Sequence, residues 1–194
     1  MNTAEHIVES YFRLCRGCFT ITDRKVKNGN NRQLDILAYN VKEKRQFHIE
    51  VGVTHRPNWA PTREDLRLYF EHKFFGAPPK RENKSGGTTD YEKGKSFFAN
   101  IVETYVDVGF LPAEVRRVWV CWILKNEEKQ NKPVVFPFES KHLNRPFEIE
   151  VLSLRELILT ELEVAIGTAN YDDEILRVLG FIKERELQTR IPHI

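Results

Sequence analysis

Long apolar runs are missing from this chain: the longest, Val118 to Leu124, falls far short of the roughly 20 residues needed to cross a bilayer. The first residues form a polar amphipathic stretch instead of a signal-like apolar region, so we expect a soluble cytoplasmic protein with no membrane partner. Cysteine is scarce too. Cys15, Cys18 and Cys121 are odd in number and too few for a secreted disulfide scaffold, which fits a reducing compartment. An excess of one charge is the third absence: 30 Lys and Arg against 28 Asp and Glu leave a formal net charge of +2, which neither demands a nucleic acid partner nor excludes one. What is present suffices for a core. A chain of 194 residues, 41% of them hydrophobic, argues for a single domain over 1–194 and against disorder or coiled coil.

No internal repeat is visible, and the hydrophobic period changes several times. From about Thr3 to Arg16, apolar residues including Ile7, Val8, Tyr11 and Phe12 share one helical face, with Thr3 as the expected N-cap and Gly17 past the end. Three strand-like runs follow, Cys18 to Thr22, Gln33 to Tyr39 and Gln46 to Thr54. The turn-forming Asn28 to Asn31 and the charged Lys42 to Arg45 separate them, which predicts an antiparallel meander. A helix capped by Thr62 carries Leu66, Phe70, Phe74 and Phe75; a long loop is expected over 76–94, and a helix from about Tyr91 to Val108. Arg117 to Leu124 reads as an interior strand, Val134 to Phe138 and Phe147 to Leu152 as further strands, and Ser153 and Asp172 as the starts of two last helices. The sum is an α/β domain around one mixed sheet.

Alternation along the second and third strands places Asp35 on one face and His48, Glu50 and Gly52 on one face. If the strands pair, Asp35 and Glu50 converge. Two carboxylates a few ångströms apart repel unless a cation lies between them, and hard oxygen ligands suit Mg²⁺ or Mn²⁺. Solvated strand residues are the bland alternative, but Asp35 is followed by apolar Ile36, Leu37 and Ala38 in a strand that otherwise wants burial.

Glu5 in the first helix, Gln33-Leu-Asp35-Ile-Leu-Ala and His48-Ile-Glu50-Val-Gly52-Val-Thr-His-Arg resemble the core of the PD-(D/E)xK nuclease superfamily, as does the order helix, three-strand meander, helix, strand. The resemblance covers a core of about 1–124 and leaves an extension of about 125–194 unexplained. It implies a restriction-endonuclease-like fold and a metal-dependent DNA endonuclease using Mg²⁺ or Mn²⁺. Asp35 and Glu50 would be metal ligands, the Val51 carbonyl a third, and Glu5 the helix carboxylate that holds the attacking water. On a helical wheel Glu5 lies about 20° from Phe12, closer to the apolar face than Glu9, the alternative.

The family pattern breaks at residue 52, where a lysine is usual and this chain has Gly52. That lysine would orient the water and offset phosphate charge, which a glycine cannot do. Three explanations stand: a non-cleaving relative, a lysine removed to trap an inactive form, or a basic group from another element, with Lys73 first and His48 second. A bulge or a close backbone approach is the other use of a strand glycine, and loss or removal of the side chain is weighted above it. His55 and Arg56, just after the third strand, are candidate phosphate contacts, and Lys73 is a third nucleic-acid-binding candidate. Basic residues in the 76–94 loop predict a segment that orders on DNA. Many nucleases of this fold cut as dimers, so a homodimer is the assembly the resemblance allows.

Two other motifs carry less. Cys15-Arg-Gly-Cys18 closes a helix, where the dipole opposes a thiolate, so core packing is the better reading. Gly94-Lys95-Ser96 lacks both the earlier glycine and the leading strand of a phosphate-binding loop. Trp119 and Trp122 are expected to pack the sheet. The rival functions are a non-catalytic nucleic-acid-binding or assembly module, and a protein-interaction domain that binds no nucleic acid.

Overall fold

The computed structural model describes residues 1–29, 31–53, 60–77, 96–140, 146–167 and 171–189. Helix α1 (Thr3–Leu14) starts one residue earlier than its apolar pattern suggests, because Asn2 and not Thr3 is the cap. The Asn2 side chain accepts from the Glu5 N–H while the Glu5 carboxylate accepts from the Asn2 N–H, a reciprocal capping box. Strands β1 (Cys18–Lys25), β2 (Gln33–Asn40) and β3 (Arg45–Val51) form the antiparallel meander expected from the turn residues.

Helix α2 (Arg63–Phe75), capped by Thr62 as anticipated, and α3 (Phe98–Asp107) carry the chain across to β4 (Val115–Cys121), which runs parallel to β3. Helix α3 begins later than the sequence pattern suggests, and β4 begins and ends two to three residues earlier. Strand β6 (Phe147–Ser153) lies parallel to β4, and β5 (Val134–Phe138) pairs antiparallel with β6 at the sheet edge. Pro137 is tolerated in β5 because an edge strand has one row of backbone groups without a partner strand. The result is a six-stranded mixed sheet in the order β1-β2-β3-β4-β6-β5.

After β6, Ser153 caps a π-helical turn that leads into α4 (Leu159–Ala165). The last helix, α5 (Glu174–Thr189), starts two residues later than Asp172; Asp173 supplies the cap by accepting from the Leu176 N–H.

Strand alternation sends two sets of side chains to opposite faces. Ile36, Ala38, Ile49, Val118, Val120 and Leu152 pack with α1, the π-turn, α4 and α5. On the other face Trp119, Cys121, Ile149 and Val151 pack under α2, while Leu37 and Val115 pack under α3. Among the described residues no helix is long and apolar enough to cross a membrane.

Candidate functional site

The second face is where the chemistry-bearing residues of β2 and β3 emerge. The pairs Ile36–Ile49 and Leu37–His48 set the register, and one more step along it brings Asp35 opposite Glu50. This is the convergence expected from alternation. Asp35 also closes the end of β3, where its Oδ2 accepts from the Val51 N–H at 2.9 Å.

Lys73 reaches the pair from α2. Its Nζ lies 2.6 Å from Glu50 Oε2 and 3.6 Å from Asp35 Oδ1. On a helical wheel Lys73 falls about 20° from Leu66, so the lysine stands inside the apolar stripe that faces the sheet, an anomaly legible in the sequence itself. The end of α2 is fixed beside it. Arg32, from the β1–β2 turn, donates to the His72 carbonyl at 2.5 Å and to the Ala77 carbonyl at 3.3 Å. Gly76, at φ 68°, stops the helix in the left-handed conformation that glycine adopts without steric cost.

Behind Glu50 lies a second set of contacts. His48 is fully buried and places Nε2 at 2.7 Å from Glu50 Oε1 and Nδ1 at 2.6 Å from the Tyr105 hydroxyl of α3. Tyr105 and the buried Arg117 of β4 were not singled out by the sequence reading. For Tyr105 the available signal was a phenol at helical spacing from Phe98 and Ile101, whose hydroxyl needs a partner once buried. For Arg117 it was the position: alternation puts it on the same face as Val115 and Trp119, opposite to its exposed neighbour Arg116.

These groups perturb one another. Burial, then the charge of Glu50, raises Asp35 to about 6, against the pull of Lys73 and the Val51 N–H. Burial raises Glu50 as well, and the Lys73 ammonium opposes that shift. Lys73 is lowered by desolvation but raised on balance by the two carboxylates, so it stays protonated. Burial holds His48 well below its ordinary value, with Arg117 acting in the same direction, which keeps the imidazole neutral.

Position 52 is closed to a side chain. A Cβ built on Gly52 would lie 2.0 Å from Trp119 Cζ2 and 2.8 Å from two further indole carbons. Trp119 is held there by Phe70, Phe74 and a stacked Tyr69 at 5.5 Å. The space that a lysine at residue 52 would need is therefore taken by the indole, and a cation arrives from α2 instead. Trp119 packs the sheet as expected, whereas Trp122 is turned partly to solvent.

The remaining candidates are placed unequally. Glu5 spends both carboxylate oxygens on Asn2, at 2.8 and 2.6 Å, and Glu9 accepts from Thr20 Oγ1 at 2.8 Å. His55 and Arg56 lie outside the described residues, as do positions 78–94 of the expected loop. Cys15, Cys18 and Cys121 are free cysteines.

Among the described residues no three His, Cys, Asp or Glu side chains form a ready metal-ligand group. Two carboxylates and the Val51 carbonyl are nonetheless the hard oxygen donors that Mg²⁺ or Mn²⁺ takes, with the balance made up by water and substrate oxygens. The Lys73 ammonium lying toward both carboxylates marks this as a place that favours positive charge. No protein-family model, curated protein or solved structure matches the chain.

Proposed function

We propose that the chain is a divalent-cation-dependent endonuclease that hydrolyses DNA phosphodiesters on a restriction-endonuclease-like, PD-(D/E)xK core, with the usual strand lysine supplied from α2 by Lys73. One observation carries the reading: an aspartate and a glutamate from adjacent antiparallel strands share a helix-borne lysine, while the ordinary lysine position is a glycine packed under an indole. The element order supports the reading: helix, meander, helix and strand occur in that sequence, with one additional helix, α3, before β4.

In this reading Asp35, Glu50 and the Val51 carbonyl would hold Mg²⁺ or Mn²⁺, which would supply Lewis-acid stabilisation of charge on the phosphate and the leaving oxygen. A water would attack phosphorus and give up its proton to solvent, while the bond to the leaving oxygen breaks and that oxygen takes up a proton from solvent. Lys73 is kept protonated by its carboxylate neighbours, so its task is to donate to the phosphate and offset its charge, not to act as base. Its side chain is 31% exposed, which makes it the member of the trio able to turn toward a substrate.

The test is cleavage of plasmid and oligonucleotide DNA in Mg²⁺ or Mn²⁺, with Mn²⁺ uptake followed by calorimetry. We expect cation-dependent cutting that falls about 10²-fold or more in Lys73→Gln, and Mn²⁺ binding that is lost in Asp35→Ala. The second reading, a DNA-binding module of the same fold without chemistry, draws on the self-satisfied ion pair. DNA binding with neither cleavage nor Mn²⁺ uptake would select it over the first.

A further inference from the structure

Glu50 presents two oxygens to two different environments. Oε2 faces Lys73 at 2.6 Å and looks toward Asp35, whereas Oε1 faces only the buried side, at 2.7 Å from His48 Nε2. The imidazole cannot easily turn. It sits edge-on to Phe74 at 4.9 Å and to Tyr105 at 5.6 Å, and its Nδ1 lies 2.6 Å from the Tyr105 hydroxyl. A carboxylate paired with an ammonium only accepts, so Nε2 must carry the proton, Nδ1 must accept, and the Tyr105 hydroxyl must donate.

We infer that Tyr105 and His48 are positioning residues for Glu50: the chain Tyr105 O–H to His48 Nδ1, His48 Nε2–H to Glu50 Oε1 pins one carboxylate oxygen and keeps Oε2, paired with Lys73 at 2.6 Å in this state, as the oxygen aimed at the site for a cation or a substrate-facing donor. The relay joins two elements, α3 and β3, and each ring in it is fully buried. A carboxylate held in this way keeps its ligating oxygen aimed without water to reorganise, and partners of this kind are worth 10- to 100-fold in metal affinity or activity. The assignment of Oε2 to a cation rests on the proposed nuclease reading; the direction of the relay does not.

Two measurements separate these. Long-range ¹H–¹⁵N correlation of the His48 imidazole is expected to show the Nε2–H tautomer in the cation-free protein. An Nδ1–H tautomer would reverse the relay and overturn the inference whatever the protein does to DNA. Calorimetry with Mn²⁺ is expected to show at least a 10-fold loss of affinity in Tyr105→Phe, which removes only a hydroxyl, with the cooperative melt retained. Wild-type protein that takes up no Mn²⁺ would remove the nuclease reading and with it the role of Oε2, leaving the tautomer to decide the relay alone. Wild-type uptake matched by Tyr105→Phe would overturn the positioning role. Should Tyr105→Phe fail to fold, His48→Gln, whose amide restores a donor toward Glu50, is expected to bind Mn²⁺ more tightly than His48→Leu; equal affinities would count against the inference.

Discussion

The two faces of the sheet are built by the same strands and differ in almost everything else. Facing α1 and α4, Ile36, Ala38, Ile49, Val118 and Val120 form a dry apolar layer. One residue away along each strand, Asp35, His48, Glu50, Arg117 and Trp119 face α2 and α3, and four of those five carry ionisable groups that are buried. Burial of carbon is favourable at about 25 cal/mol per Å², whereas burial of charge is costly unless it is paired and hydrogen-bonded. The first face therefore supplies the stability that lets the second hold groups at a free-energy disadvantage. Because the side-chain period is two, a one-residue slip of β3 would exchange the two layers, so the apolar face also enforces the register that sets Asp35 opposite Glu50.

That division predicts opposite responses from neighbouring residues. Ile49→Ala should cost about 2–5 kcal/mol in urea unfolding, the range for a large-to-small change in a packed core, while Mn²⁺ binding per folded molecule is kept. Glu50→Gln should abolish Mn²⁺ binding at a smaller cost in stability, because the isosteric amide keeps an acceptor for His48 and Lys73 retains Asp35 and contact with solvent, so no charge is left buried and unpaired. Equal destabilisation by the two changes would mean that the polar layer is itself a stability element.

Gly52 gives the next largest effect. Gly52→Ala should destabilise by about 1–3 kcal/mol through overpacking against the Trp119 indole, which stands where the new methyl group must go. Trp119→Leu combined with Gly52→Ala should cost less than the sum of the single changes, a coupling that a double-mutant cycle reads directly. By the same contact, Gly52→Lys should lower stability and add no cleavage, the reverse of what a simple missing lysine would do.

Much of this is legible in the sequence, and the rest is not for physical reasons. The facing of Asp35 and Glu50 follows from period two and the turn residues between strands, all local signals. Lys73 was visible as a cation that could replace the absent lysine. The meaning of Gly52 was hidden because Trp119 reaches it through the parallel β3–β4 pairing, and that register, Glu50 against Trp119, is set only after two helices cross over. Tyr105 and Arg117 join the site by the same non-local route. Glu5 reads equally well as an active-site acid or a capping residue, since a helix start needs a carboxylate at that position for its own reasons.

Asp35 offers a smaller effect that acts through pH. It ionises at about 6 in the folded protein against an ordinary 3.8, with burial and then Glu50 as the causes. Between those values the native state binds more protons than the unfolded state, so stability falls as pH rises from about 4 to 6, and the cost persists above 6. Asp35→Asn lacks this titration. Its stability relative to the wild type should therefore rise across that window by on the order of 2 kcal/mol, measured by chemical unfolding at matched ionic strength. A flat difference would mean that Lys73 neutralises Asp35 more completely than burial penalises it.

The smallest change separates two uses of one carboxylate. Glu5 accepts from the Asn2 backbone N–H at 2.8 Å and from Asn2 Nδ2 at 2.6 Å, which commits both its oxygens to the start of α1. Glutamine at the third helical position also completes a capping box, so Glu5→Gln should alter stability by no more than about 0.5 kcal/mol. Glu5→Ala removes the reciprocal acceptor and should cost roughly 0.5–1 kcal/mol in the same unfolding assay. If capping is the whole role, DNA cleavage by Glu5→Gln matches that of the wild type, and this is the outcome expected from the hydrogen bonds. A loss of 10-fold or more in Glu5→Gln, with the unfolding midpoint unchanged, would return Glu5 to the reaction as the residue that holds the attacking water. It would also mean that substrate binding draws the carboxylate off the cap, which the Glu9 side chain, bonded to Thr20 Oγ1, gives no sign of replacing.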